Sequence, residues 1–254
     1  MLILLSPSKS LNLETKIISK THSIPAFLKD SQILINELKK FSAQDLAKLM
    51  KISDKLAELN FERYVNFKTP FTIQNSKPAI FTFDGDVYEG IDAENYSEKN
   101  LTFAQNHLRI LSGLYGILKP LDLIQPYRLE MGTNLKNPKG KNLYQFWQEK
   151  ITDFLNKELE NFSEKIILNL ASEEYFSAVD DSKIKGQIIN IIFKEKKGND
   201  YKVIGIFAKK ARGLMADHII KNKIQKAEEI KKFNHSGYKF NPGFSDKNNW
   251  WFCR

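Results

Sequence analysis

The stretch His107–Gly132, HLRILSGLYGILKPLDLIQPYRLEMG, constrains this chain more than any other. Leu101, Ala104, Leu108 and Leu111 recur at three- and four-residue steps, the spacing of one apolar helix face. The run meets Gly113, and Gly116 follows three residues later. Two glycines so close let the backbone reverse where a side chain would clash, with positive φ expected at one of them. Pro120 sits where a new helix can begin, because its missing N–H costs nothing in a first turn. The spacing predicts helix, tight glycine hairpin, short helix. Arg109, Lys119 and Arg128 stand around the hairpin, with Tyr115 and Tyr127 between them. Two outcomes are open. One is a buried αα-hairpin with solvated charges, which spacing alone favours. The other is a hairpin whose free N–H groups face an anion held by the flanking cations.

The chain has 254 residues, 42% of them hydrophobic, enough for a full core in one large domain or two small ones. Lysine and arginine number 39 against 30 acids, a net charge of +9. That balance suits polyanions, although lysine is also used freely on what read as plain surface faces. The single cysteine, Cys253, excludes a disulfide framework and a thiolate metal site within one chain. The first residues, MLILLSPSKSLNLETK, carry no basic leader, and no apolar run approaches the roughly 18–20 residues of a membrane span. A reducing cytoplasm is the expected location, with no membrane partner.

Along the chain, Leu2–Leu5 reads as a buried strand ending in SPSKS, a plausible anion loop without a P-loop pattern. Residues 25–67 read as helical, with Ser42 and Asp45 as a capping box. Residues 79–83 read as a strand running into DGDVYEG, a polar turn whose Asp84, Asp86 and Glu89 lack calcium-loop spacing. A long helix is expected over 142–161 and a strand over 166–170. Beyond that strand Asn169, Ser172, Glu173 and Tyr175 mark a second polar junction, with Ser172 as a helix cap. Residues 187–194 and 201–208 read as a strand hairpin delivering KKARG, Lys209–Gly213, at a strand end. An exposed helix is expected over 221–232, then two edge strands at 238–240 and 250–252. The fold class is mixed α/β in a single domain, 1–254, with a mixed sheet and flanking helices.

The four histidines, His22, His107, His218 and His235, show no metal-ligand spacing, and no GxSxG elbow or dinucleotide fingerprint appears. No metal or cofactor is therefore expected. What repeats is an element end, a tight turn and a cation. SPSKS, the hairpin with Lys119 and Arg128, and KKARG are expected to converge on one positive cleft.

These motifs carry a resemblance. SPSKSL at 6–11, GDVYEG at 85–90, the block 107–132, LYQFW at 143–147, NLASEEYF at 169–176 and AKKARGLM at 208–215 together resemble the YaaA family of bacterial peroxide-stress proteins. The resemblance covers the whole chain. It implies a cytosolic protein that limits iron-dependent damage during hydrogen peroxide stress. It also implies a mixed α/β domain with a positively charged cleft, and binding to duplex or distorted DNA. A helix-hairpin-helix-like element, here Gly113–Gly116, is implied too, and no established reaction comes with the family.

Two functions follow as expectations. In the first, Lys9, Arg109, Lys119, Arg128, Lys209, Lys210 and Arg212 contact DNA phosphates, helped by N–H groups at Gly113 and Gly116. Tyr88, Tyr115 and Tyr127 stack on exposed bases, and shape outweighs sequence. In the second, the cleft belongs to an enzyme acting on a nucleotide or nucleobase. Asp86, Glu130 and Glu173 are then its acid–base carboxylates, with Ser6, Ser8 and Lys9 on a phosphate.

Overall fold

Leu2–Leu5 are apolar at every position and have no exposed face. They form β1, an inner strand, because such a run finds partners only where both faces are covered. A computed structural model describes every residue except Asn199. After β1 come β2 (Ser10–Leu11) and three helices, α1 (Leu28–Leu38), α2 (Ala43–Met50) and α3 (Asp54–Val65). The expected capping box is present: the Ser42 hydroxyl accepts from the Asp45 amide, and the Asp45 carboxylate accepts from the Ser42 amide. Next are β3 (Lys77–Pro78), β4 (Phe83–Asp84), α4 (Glu98–His107), β5 (Leu108–Ser112), β6 (Gly116–Leu118) and β7 (Leu123–Ile124). The second half runs α5 (Leu143–Leu159), β8 (Ile166–Asn169), α6 (Glu173–Phe176), β9 (Gln187–Lys197), β10 (Asp200–Lys202) and α7 (Gly205–Asn222). It closes with β11 (Lys239–Phe240) and β12 (Asn249–Cys253).

The main sheet has the order β11-β12-β9-β8-β1-β5-β6, with β10 paired to β9. β1, β5, β8, β9 and β12 are mutually parallel along it, while β6, β10 and β11 are antiparallel. The class is the mixed α/β architecture that the sequence suggests, and α5 packs on β6 and α7 on β9. No described helix is long and apolar enough to cross a membrane.

The central stretch differs from its reading. The helix stops at His107 and Leu108–Ser112 continue as a fully buried strand. Leu108, Ile110 and Leu111 fill both faces of an inner strand, so the helical spacing of Leu101, Ala104, Leu108 and Leu111 spans a helix–strand junction. Gly113–Tyr115 then form a three-residue loop between β5 and the antiparallel β6, with Ser112 opposite Gly116. This is a β-hairpin with a left-handed glycine at its end, Gly116 at φ 71°. It is not a helix-hairpin-helix. A Cβ on Gly116 would lie 2.7 Å from the Trp147 ring, so packing as well as φ selects glycine there. The Trp147 indole N–H donates to the Gly113 carbonyl at 2.8 Å, fastening the loop to α5. No helix starts at Pro120; its carbonyl accepts from the Ile80 amide instead.

Four further readings change. Residues 79–81 are a 3-10 turn between two-residue strands, not a continuous strand. KKARG lies inside α7 rather than at a strand end, because Ala208, Ala211, Met215, Ala216, Ile219 and Ile220 carry the helical period forward. That helix ends at Asn222 with Lys223 left-handed at φ 52°, so 221–232 is not one helix; Ala227–Lys232 is a separate 3-10 segment. Of the two tail strands β11 is the edge, and β12 lies between it and β9.

Candidate functional site

From β1 the chain moves to β5 on one side, and later returns to β8 on the other. Where neighbouring connections diverge like this, the carboxyl ends of the strands leave a crevice between them. Two loops border it: Ser6–Ser10 after β1, and Leu170–Ser172 after β8 leading into α6. They are tied together. The Ser172 amide donates to Ser6 Oγ at 2.8 Å, and the two hydroxyls lie 3.2 Å apart. Ser172 therefore serves the loop junction and makes no side-chain cap on α6. From the other wall the buried Tyr88 hydroxyl donates to the Ser6 carbonyl at 3.0 Å.

Helix α7 closes the crevice. A Cβ on Gly213 would stand 1.8 Å from the Val87 carbonyl oxygen, so only glycine lets α7 press onto the Gly85–Gly90 turn. That approach brings Lys209 and Arg212 to the same cavity as Asp86, and Lys209 pairs with Asp86 at 3.2 Å. The cavity so formed is about 300 Å³. Ser6, Ser8, Lys9, Asp86, Val87, Ser172, Glu174, Tyr175, Lys209 and Arg212 line it. A larger hollow of about 900 Å³, between the α1–α2 region and Lys136–Pro138, shares none of these residues and is an open groove of mixed charge.

Charge within the cleft is mostly paired. Lys9 meets Glu130 at 2.5 Å, and Arg128 meets the other oxygen of the same carboxylate at 3.3 Å. The Arg128 Nε is buried without a partner. Glu174 accepts from the Gly132 amide at 3.0 Å. Lys210 pairs with Glu89 at 3.5 Å on the exposed rim, outside the cavity lining. Arg212 is the exception: among the described residues it has neither an ion-pair nor a hydrogen-bond partner, although it is partly buried. Burial alone pushes its guanidinium below the usual value, and no neighbouring acid offsets this.

The structure thus brings Lys9, Asp86, Lys209 and Arg212 to one cavity, with Glu130 and Arg128 beside it through the ion pair to Lys9. Other expected contacts lie elsewhere. Arg109 is 1% exposed and ion-paired with Glu158 of α5. Its guanidinium also donates to the carbonyls of Gln105 at 2.9 Å and Asn106 at 3.4 Å, closing the C-terminus of α4. It cannot reach a phosphate on the surface. Lys119 shares Glu158 at 3.2 Å, away from the cleft. Gly113 and Gly116 are buried in the β-hairpin. Tyr88, Tyr115 and Tyr127 are buried as well, so none offers a face for stacking; the Tyr127 hydroxyl lies 2.7 Å from Ser112 Oγ. Glu173 is exposed outside the cavity, and its neighbour Glu174 faces in. Tyr175, whose hydroxyl burial pushes well up, and Ser172 are the lining residues that a helix-cap reading of NLASEEYF undervalues. Among the described residues no three metal-ligating side chains come together.

The family profile described as "Peroxide stress protein YaaA" matches residues 1–243. The UPF0246 protein of Acaryochloris marina (strain MBIC 11017) is 51% identical over 254 residues, covering all of both chains. Those of Dechloromonas aromatica (strain RCB) and Colwellia psychrerythraea (strain 34H) are each 50% identical over all of this chain and 99% of the relative. With the motif blocks at 6–11, 85–90 and 208–215 meeting around one cavity, and with profile and relatives alike spanning essentially the whole length, the chain belongs to the peroxide stress protein YaaA (UPF0246) family.

Proposed function

We infer that this chain acts in the cytoplasm as a DNA-binding protein of the peroxide response, limiting iron-dependent oxidative damage, and that the cleft at the carboxyl ends of β1 and β8 holds DNA phosphates. The observation that carries this reading is Arg212, a partly buried residue that lines the cavity with the Ser6, Ser8 and Ser172 hydroxyls and has no ion-pair or hydrogen-bond partner among the described residues. A partly desolvated charge without a partner is costly, and a bound anion offsets that cost. Lys9, Lys209 and Lys210 are each more than half exposed, so they can exchange Glu130, Asp86 and Glu89 for phosphate oxygens. Arg128 lies beside the cleft, joined to Lys9 through Glu130, and the net charge of +9 supplies the long-range attraction. No helix stands out to enter a groove, so shape is read rather than sequence.

A second reading, an enzyme acting on a nucleotide or nucleobase, draws on the enclosed shape of the cavity and on Asp86 and Glu174 in its wall. Salt dependence of binding to matched duplex DNA tests the first reading. Arg212→Ala and Lys9→Ala are each expected to weaken binding and to lower the log–log slope by about 0.9 per lost phosphate contact. An unchanged affinity and slope in both variants would remove the cleft from the DNA site.

A further inference from the structure

His218 and His235 lie 17 positions apart, and the fold brings their rings together. His218 stands in the last third of α7, and His235 in the segment that leads to β11. Nδ1 of His218 is 3.1 Å from Nε2 of His235, and the ring centroids are 4.9 Å apart. Neither histidine lines the cleft.

Both rings are held from several sides. Asn222, one turn further along α7, donates its amide to the His218 carbonyl at 2.8 Å and lies 3.2 Å from Nδ1 of the same residue. That contact makes Nδ1 an acceptor, so His235 supplies the proton shared between the rings. His235 opens a tight turn: Ser236 and Gly237 both have positive φ, 52° and 81°, and the Tyr238 amide donates to the His235 carbonyl at 3.0 Å. Ser236 enters the left-handed region without being a glycine, and the turn it makes aims His235 at α7. Arg254 donates to the Ser236 carbonyl at 2.9 Å and fastens this turn to the end of β12. The buried Phe233 ring backs both histidines, with its centroid 5.4 Å from that of His218 and 5.1 Å from that of His235.

We propose that His218 and His235 form a binding site for a divalent transition metal, zinc, copper or nickel, which clasps the segment before β11 to α7. Two nitrogens each about 2.0–2.1 Å from one zinc stand about 2.8–3.4 Å apart, for angles between a right angle and the tetrahedral one. The observed 3.1 Å falls within that span. Imidazole suits these metals, whereas magnesium and calcium take oxygen ligands. On binding, the His235 proton moves from Nε2 to Nδ1 through solvent, so the ring stays neutral and Nε2 gains a free lone pair. His218 already presents the lone pair of Nδ1, and Asn222 keeps its bond to the His218 carbonyl. Water fills the other positions, since no third His, Cys, Asp or Glu joins the pair among the described residues. The clasp acts on the helix that carries Lys209 and Arg212, and it stands whether or not the cleft holds DNA.

Titration of the full chain with zinc, followed by nitrogen NMR of the histidine rings and by thermal melting, tests this, with magnesium as control. One zinc per chain is expected, with Nδ1 of His218 and Nε2 of His235 shifting together and the melting temperature rising with zinc concentration. His235→Ala, on an exposed turn, and His218→Gln are each expected to bind zinc at least about tenfold more weakly, the loss that even an outer partner of a metal ligand brings. His22→Ala, at an exposed histidine elsewhere, is expected to keep the site. Unchanged zinc affinity in both pair variants, a shift at only one of the two rings, or an equal response to magnesium would overturn the proposal. So would the absence of any ring-nitrogen shift up to millimolar zinc. The ring-nitrogen shifts of the unaltered chain decide the matter if His218→Gln fails to fold.

Discussion

Ser172 donates its backbone amide to the hydroxyl of Ser6 at 2.8 Å across 166 positions of sequence. That one bond joins the loop after β1 to the loop after β8 and sets the floor of the cleft. Ser6→Ala leaves the half-buried Ser172 amide without its acceptor, which costs about 1 kcal/mol. The expected result is a lower melting temperature together with weaker DNA binding, whereas Ser10→Ala, on the exposed end of the same loop, changes stability little. Calorimetric melting and a binding titration on both variants check it.

Arg212 predicts an opposition between stability and binding. Its guanidinium is partly desolvated and has no partner among the described residues, so Arg212→Met, which keeps the stem and removes the charge, is expected to raise the melting temperature. The same variant is expected to bind DNA more weakly. A melting temperature that falls would show that Arg212 is satisfied in a way its surroundings do not reveal.

The β-hairpin yields a separation of roles. Gly116→Val forces a β-branched residue to φ 71° and its Cβ into the Trp147 ring, so destabilisation by several kcal/mol, about 3 or more, is expected. Lys119→Ala removes a half-exposed ion pair to Glu158 and is expected to cost under about 1 kcal/mol, with DNA affinity unchanged. Loss of affinity in a well-folded Lys119→Ala protein would return the hairpin to the binding surface.

Glu158 links the fold to pH. Burial pushes its carboxyl up, but Arg109 and Lys119 beside it outweigh this and hold it below the ordinary carboxylate value. A carboxyl depressed in the folded state contributes stability above its unfolded value, about 4.3, and loses it as pH falls through the folded value. Acid below about pH 4 is therefore expected to strip the buried Arg109 of its partner. Glu158→Ala does so at every pH, at a cost of about 3–5 kcal/mol. Its melting temperature is expected to fall less between neutral pH and about pH 3 than that of the unaltered chain, by differential scanning calorimetry.

How far the sequence discloses this fold depends on where each signal sits. Leu2–Leu5 and Ile166–Asn169 are short runs with polar loops behind them, and both are strands within the main sheet as their composition suggests. Ser42 and Asp45 declare a helix start through side-chain chemistry that is wholly local. Arg109 is different. Its apolar neighbours match a helical period, but Leu108–Ser112 are a strand because β1 supplies the ladder, a partner over a hundred residues away. The cleft was legible in part: SPSKS and KKARG do face one cavity. Glu158 hid the reason that Arg109 and Lys119 do not join them, since ion pairing across 49 positions leaves no spacing to read. Ser172 looked like a cap because a serine before Glu-Glu is one locally; only the sheet shows that it holds Ser6.

The position of β1 has a consequence for how the chain acquires its shape. This strand precedes both its neighbours in the chain, one beginning at Leu108 and the other at Ile166. Until about two-thirds of the polypeptide exists, four consecutive aliphatic side chains and their amides have at most one ladder to join. Pairings between such distant segments close large loops and slow the rate-limiting step. β1 is thus the segment most in need of shielding while synthesis proceeds, and pulsed hydrogen exchange should find β1 and β8 gaining protection together and late.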